Sequence, residues 1–190
     1  MNIEIDVSDG TSGQWKVETF TVSESDAKWA NVKASISTSS RGRFIHPGNY
    51  KRLMRGGTVV MSNTMAEIND HLSFIYTAKR CKSSLINGLG LGMALKAVLE
   101  SDLVEDVTVV EISEDVISLV GDTYLVDPRV NIVHASAFDY KPPKGKRYGA
   151  VWHDIWDNIC SDNLPEMHKL HRKYGKRCDW QGSWGCQQLR

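Results

Sequence analysis

A chain of 190 residues, 41% hydrophobic and 24% charged, has the length of one domain, or of one domain with a small appendage, and can bury a sizeable core. Its 23 basic and 23 acidic side chains cancel, which removes the global basic footprint of nucleic-acid binders, so nucleic acid is not an expected partner. No apolar run approaches the roughly 18 residues of a membrane span, and the polar start Met1-Asn2-Ile3-Glu4 is no signal peptide. Cys81, Cys160, Cys178 and Cys186 form no Cys-x-x-Cys pair, so they read as scattered thiols of a cytoplasmic protein, with neither a metal site nor a disulfide framework.

Residues 1 to about 45 are rich in Ser, Thr, Lys and Asp. Within them, 15–22 alternates apolar and polar residues as a half-buried strand does. The stretch 30–36 fits a strand or a short helix, and 37–43 is a polar turn region. Gly56-Gly57 then turns the chain into a strand at 58–62. Asn63 or Thr64 can cap a helix over about 65–79, with Glu67 placed for a capping box. An N-terminal β appendage, residues 1–62, is therefore expected to lead through this linking helix into a second unit, residues 63–190.

That second unit alternates strand and helix. Strands are expected at about 83–87, 107–112, 130–135, 149–153 and 177–181. Helices are expected at about 92–100, at 114–119 or beyond behind a Ser113 N-cap, and at 163–174 before Gly175. The fold class is α/β, a doubly wound and mostly parallel sheet.

The chemistry concentrates where the strands end. Asn87-Gly88-Leu89-Gly90-Leu91-Gly92 follows the first of these strands and opens a helix, and Glu111-Ile112 closes the next strand, close to the expected distance of about 20 residues downstream. In open α/β sheets this order of parts holds an adenosine-containing cofactor: glycines admit the backbone close to the ligand, and the carboxylate takes both ribose hydroxyls. Glycines that serve only tight helix–strand packing are the competing reading. Gly-x-Gly-x-Gly, in place of Gly-x-Gly-x-x-Gly, argues against a nicotinamide dinucleotide. Asp154 and Asp157 follow the fourth strand at the same edge, as a general base or as an anionic cradle for an amine. His153 points to the opposite face of a regular strand and reads as structural. The basic run Lys169, Arg172, Lys173, Lys176 and Arg177 reads as a solvated helix face.

Taken together, 107–112, Asp127-Pro128-Arg129-Val130, Val133 to Phe138, the glycine run and Asp154-Ile155-Trp156-Asp157 resemble the spermidine synthase branch of the class I S-adenosylmethionine-dependent enzymes. Leu53 to Val60 and Glu67 to His71 are similar to the strand and helix that precede the cofactor fold in that branch, so the likeness covers roughly residues 50–160. Trp180-Gln181-Gly182-Ser183-Trp184-Gly185 is similar to small methyltransferase-like proteins of tailed bacteriophages, which would place the chain in a host cytoplasm. The resemblance implies a Rossmann-like fold that binds S-adenosylmethionine through Asn87, Gly88, Leu89, Gly90, Gly92, Glu111, Ile112, Ser136 and Ala137. It implies catalysis at Asp154 and Asp157, and an acceptor held near His71 and Trp156.

Departures from the pattern shape the expected activity. The branch's acid in the glycine loop falls on Leu91, its second acid after the next strand on Ser113, and the aspartate for the adenine amino group on Ser136, where a hydroxyl or backbone carbonyl must substitute. Fewer acids mean weaker capture of a polyamine cation. Methyl transfer to an acceptor still to be identified is the leading expectation, with aminopropyl transfer and a non-catalytic binding scaffold as alternatives. Only 36 residues follow Asp154, fewer than two further strands of a complete fold need, so the fold reads as C-terminally shortened and the sheet edge as covered by the appendage or by another copy in a homo-oligomer.

Overall fold

The computed structural model describes residues 3–37, 42–186 and 189. Its main sheet holds β5 (Ser83–Asn87), β6 (Asp106–Glu111), β7 (Val130–His134), β8 (Tyr148–His153) and β9 (Cys178–Ser183), in the order β7-β6-β5-β8-β9. Every pairing in it is parallel. The chain lays β6 and β7 outward on one side of β5, then reverses to lay β8 and β9 on the other. Asn87 and His153 are register partners at the end of the central pair, so the reversal opens a crevice beyond the carboxyl ends of β5 and β8, the place where ligands bind in such sheets.

Both faces of this sheet are covered, which is why its strands read as continuous apolar runs. Leu85, Val110 and Val151 join a cluster with Leu170 and Tyr174 of α6 (Leu164–Tyr174). The alternate residues Ile86, Val109, Ala150 and Trp152 join a larger cluster with α2 (Met65–Ala78) and α3 (Met93–Leu99). The helix expected behind Ser113 is longer than 114–119. It runs from α4 (Glu114–Val116) through a π-helical turn at Ile117–Gly121 into α5 (Asp122–Leu125). Ser113 caps it, its hydroxyl accepting from the Val116 N–H at 3.3 Å.

The N-terminal unit is an antiparallel sheet, β1 (Gly10–Ser12), β2 (Trp15–Val22), β3 (Gly48–Arg55) and β4 (Thr58–Ser62), in sequence order. Between β2 and β3 lies α1 (Glu24–Ile36), so the segment 30–36 is helical and belongs to an element that begins earlier. Ser23 caps it by accepting from the Asp26 N–H at 3.1 Å, but only Ala27 and Ala34 are buried along it, so no apolar stripe marks it in sequence. Ile3, Ile5, Val7, Val17 and Leu53 share the larger cluster with α2 and α3, so the small sheet is bound to the main one by common core. Among the described residues no helix is long and apolar enough to cross a membrane, and no group of three His, Cys, Asp or Glu is placed to hold a metal. The four cysteines are free thiols.

Candidate functional site

A pocket of about 970 Å3, its mouth included, opens at the β5/β8 crevice under the N-terminal sheet. Its floor is the glycine loop. Gly88, Gly90 and Gly92 all have left-handed backbone, with φ of 100°, 52° and 71°. Each also faces a protein atom that a β-carbon would strike: the Asp154 carbonyl at Gly88, the Met61 sulfur at Gly90, the Tyr124 ring at Gly92. Gly88 and Gly90 line the pocket and Gly92 does not. The packing reading therefore accounts for Gly92, whose neighbour Leu91 accepts a hydrogen bond from the Tyr124 hydroxyl at 2.8 Å.

Glu111, at the end of β6, is nearly enclosed and ties the loop to the sheet. One carboxylate oxygen accepts from the Leu89 N–H and the other from the Ser113 N–H, each at 2.8 Å. Burial raises its pKa, against these backbone donors, which favour the charged form. A carboxylate has about four lone-pair sites, so acceptor capacity remains towards the pocket. Beside it Ile112 leaves an apolar side chain 68% exposed on the pocket wall. Ser136 and Ala137 complete this wall. The Ser136 carbonyl already accepts from the Asp139 and Tyr140 N–H groups, and its hydroxyl accepts from the Phe138 N–H at 3.2 Å. Of the two substitutes for the missing aspartate, only the hydroxyl keeps hydrogen-bonding capacity to spare. The Ala137 carbonyl is held by Tyr174 and by Lys173 Nζ, both at 3.0 Å. Lys173 thus clamps this loop, which corrects the view of the basic run as uniformly solvated.

The opposite wall carries proton chemistry. The loop after β8 brings Asp154 against His71 of α2, with Nε2 2.7 Å from Oδ2. His71 Nδ1 lies 2.8 Å from the Glu67 carbonyl, an acceptor only, so Nδ1 bears a proton. A second proton must then lie between Nε2 and Oδ2. His71 and Asp154 share it as an imidazolium–carboxylate pair or its neutral equivalent. Burial, the largest single influence on His71, opposes charging, but the charge and hydrogen bond of Asp154 outweigh it and the pKa is raised. Glu67 also lines the pocket; burial raises its pKa, and the Ser62 N–H and hydroxyl hold it at 3.0 Å. The capping box expected at Glu67 does not form: its carboxylate reaches past Thr64 to Ser62, and Thr64, the N-cap, makes no side-chain capping bond.

Asp157 is less available than its sequence position suggests. It is ion-paired with Arg55 of β3, whose guanidinium lies over the Trp15 ring, 5.3 Å from its centroid. Trp156 lines the pocket and donates its indole N–H to Glu166 at 2.7 Å. Asn87 and Leu89 stand behind the pocket wall. The fully buried Asn87 donates from its amide to His153 Nδ1 at 2.8 Å. Gln181 donates to the His171 carbonyl at 3.0 Å, which turns its oxygen towards His153 Nε2, 3.3 Å away. His153 is thus a neutral histidine with both nitrogens bonded, on the sheet face away from Asp154, and burial pushes its pKa down to about 3.

Sequence reasoning missed Trp15, Arg55, Met61 and Glu67 as pocket residues. Glu67 stood out in the sequence only as a candidate for a capping box. Arg55 and Trp15 give no local signal, because the partner of Arg55 lies 102 positions away.

No family model and no curated protein matches the chain. Solved structures match it in fold. Spermidine synthase from Thermotoga maritima is 20% identical over 67% of this chain and 45% of that one, with a TM-score of 0.50. The methyltransferase domain of bacterial CtHen1 is 18% identical over 55% and 57%, with a TM-score of 0.42. The plantazolicin methyltransferase BpumL in complex with SAH is 15% identical over 60% and 44%, with a TM-score of 0.45. The chain spans about half the length of these structures. At such identities the likeness is one of fold, the Rossmann-like architecture shared by class I methyltransferases and spermidine synthase.

Proposed function

We propose that this chain binds S-adenosylmethionine and transfers its methyl group. One observation carries the reading. Glu111 at the end of β6 and the His71–Asp154 pair beside β8 face each other across a single pocket, at the point where the strand order reverses. The residues fit the cofactor. Glu111 keeps lone pairs for ribose, Ile112 and Ala137 offer an apolar slot for a purine, and the Gly88 and Gly90 backbone borders the space next to Asp154. Asn87, Leu89 and Gly92 support this site from behind.

The cofactor supplies a methyl carbon already activated by a sulfonium, so the protein has to align the acceptor and exclude water. Asp154 Oδ2 is engaged by His71. Its Oδ1 has no hydrogen-bond partner among the described residues and is the atom that takes the acceptor's proton. His71 fixes the carboxylate orientation, as the partner of a general base does. Aminopropyl transfer gains less from this site, because Asp154, Asp157 and Glu67 each have a partner and leave no free acid pair for a polyamine.

Calorimetric titration with S-adenosylhomocysteine and, separately, methylthioadenosine tests the reading. S-adenosylhomocysteine is expected to bind tighter, and Glu111→Ala to weaken it at least about tenfold through lost charged hydrogen bonds. Preference for methylthioadenosine would transfer the assignment to aminopropyl transfer. Binding of neither would leave a scaffold.

A further inference from the structure

The chain has six tryptophans, and the structure divides them sharply. Trp152, buried in the larger core cluster, and Trp180, partly buried against it, stack on each other at 6.3 Å and on Phe74. Trp29 is exposed on α1. The other three, Trp15, Trp156 and Trp184, come from three separate parts of the fold and line the one pocket. Among the described residues none of these three stacks on another ring. Trp156 is pinned by its edge, through the indole N–H to Glu166, and packs in part against the smaller core cluster while still lining the pocket. Trp15 carries Arg55 over its ring.

These rings stand apart from the cofactor wall. Gly88, Gly90, Glu111, Ile112, Ser136 and Ala137 come from the ends of β5, β6 and β7. The three tryptophans come from β2, from the segment bearing Asp154 and from the turn after β9. The charges on their side are matched: Asp154 with His71, Asp157 with Arg55. Glu67, the remaining acid on that side, is held by the Ser62 N–H and hydroxyl, and burial favours its neutral form. A cationic acceptor would therefore find no free carboxylate pair there, and an anionic one no unpaired cation. Flat uncharged rings, by contrast, find indole faces to lie on.

Resting on the assignment of methyl transfer, we infer that the acceptor is an uncharged planar aromatic molecule with a ring hydroxyl, held among Trp15, Trp156 and Trp184 with that hydroxyl towards Asp154 Oδ1. The hydroxyl follows from the base. A phenolic O–H has a pKa of about 10, within reach of a carboxylate acting as the bond forms, whereas an amine arrives charged. In the transfer the O–H bond breaks and its proton goes to Asp154 Oδ1. The oxygen bonds to the methyl carbon, the carbon–sulfur bond breaks, and its electron pair stays on sulfur. The products are an aryl methyl ether and S-adenosylhomocysteine.

The test uses 2-naphthol, with decahydro-2-naphthol as the saturated control of similar shape and spermidine as the cationic control. Each is titrated calorimetrically into the full chain saturated with S-adenosylhomocysteine, and each is incubated with S-adenosylmethionine for product detection by mass spectrometry. The expected result is selective binding of 2-naphthol and formation of its methyl ether. Trp156→Leu should weaken naphthol binding about tenfold and leave the affinity for S-adenosylhomocysteine in place. Should that variant fold poorly, Trp15→Leu serves the same comparison. Asp154→Asn should still bind 2-naphthol and form no ether.

Equal binding of naphthol and its saturated control, preference for spermidine, or indifference to both tryptophan variants would overturn the inference while S-adenosylhomocysteine binding kept the methyltransferase reading standing. If S-adenosylhomocysteine fails to bind, the methyltransferase reading falls. Ring-selective binding of naphthol then still supports the aromatic site, and its absence removes that too.

Discussion

The two walls of the pocket are made of different material. The wall from the parallel sheet leans on backbone: the Gly88 and Gly90 turns closed against a carbonyl and a sulfur, and a carboxylate anchored by two N–H groups. The wall from the N-terminal sheet and the loop after β8 is largely side chain, with Trp15, Arg55, Asp157 and Trp156 meeting at half-exposed positions. In the proposed reading the backbone wall takes the cofactor, and its close contacts tolerate little change. The side-chain wall, which in that reading takes the acceptor, can change without touching the fold. This difference predicts where substitutions will destabilise the protein and where they will alter only recognition.

The largest effect is expected at Gly88. A β-carbon there overlaps the Asp154 carbonyl, which is backbone and has nowhere to go, and the φ of 100° strains any L side chain besides. Gly88→Ala should cost at least about 4 kcal/mol, read as a lower urea midpoint at an unchanged slope. A cost below about 1 kcal/mol would show the backbone wall to be as forgiving as the other.

The sequence told these two materials apart unevenly. In the parallel half, strands buried on both faces leave apolar runs, and the turns between them leave glycine or proline, so 83–87 and 130–134 were legible almost to the residue. Glu111 and Asp154 stood out as acids at strand ends, and the placement of His153 on the far face followed from strand parity. The N-terminal half hid more. In α1 just two alanines are buried, and β3 opens with the polar residues Gly48 to Arg52, whose outline comes from pairing with β2 rather than from composition. The π-helical turn left no mark, since it adds one residue per turn to a pattern already short. Contacts such as Met61 to the Leu91 N–H, at 3.1 Å across 30 positions, are products of the assembled fold. The demand that Tyr124 places on Gly92 is hidden for the same reason.

A second expected effect sets the two buried histidines against each other. His71 faces the pocket and has a charged partner; His153 faces the dry core and has amides. The His153 pKa lies at about 3 against an ordinary 6.5, so the folded state resists a proton that the unfolded chain accepts. Its contribution is fully present above about pH 6.5 and is lost as pH falls towards 3, amounting to roughly 3 kcal/mol by pH 4. His71 has the opposite sign. Its raised pKa gives stability that is full below about 6.5 and fades as pH rises through the raised value. Chemical denaturation of wild type and His153→Gln across pH 4–8 should show the acid-side loss shrinking in the variant. Parallel curves would mean that the acid limb belongs to carboxylates alone.

The smallest effect on stability is expected from Arg55→Met, which removes the ion pair with Asp157. The two side chains are 49% and 38% exposed, so water screens their attraction and ordering them costs entropy. The guanidinium over Trp15 adds a further modest contact, and the methionine stem retains part of that packing. The change should therefore move the unfolding free energy by no more than about 1 kcal/mol, and 1 M salt should erase most of the difference from wild type. A loss above about 2 kcal/mol that survives salt would mean that the pair works as a structural clasp between the two sheets. The roof of the pocket would then be as intolerant of change as its floor, and the contrast between the two walls would fail at its most exposed point.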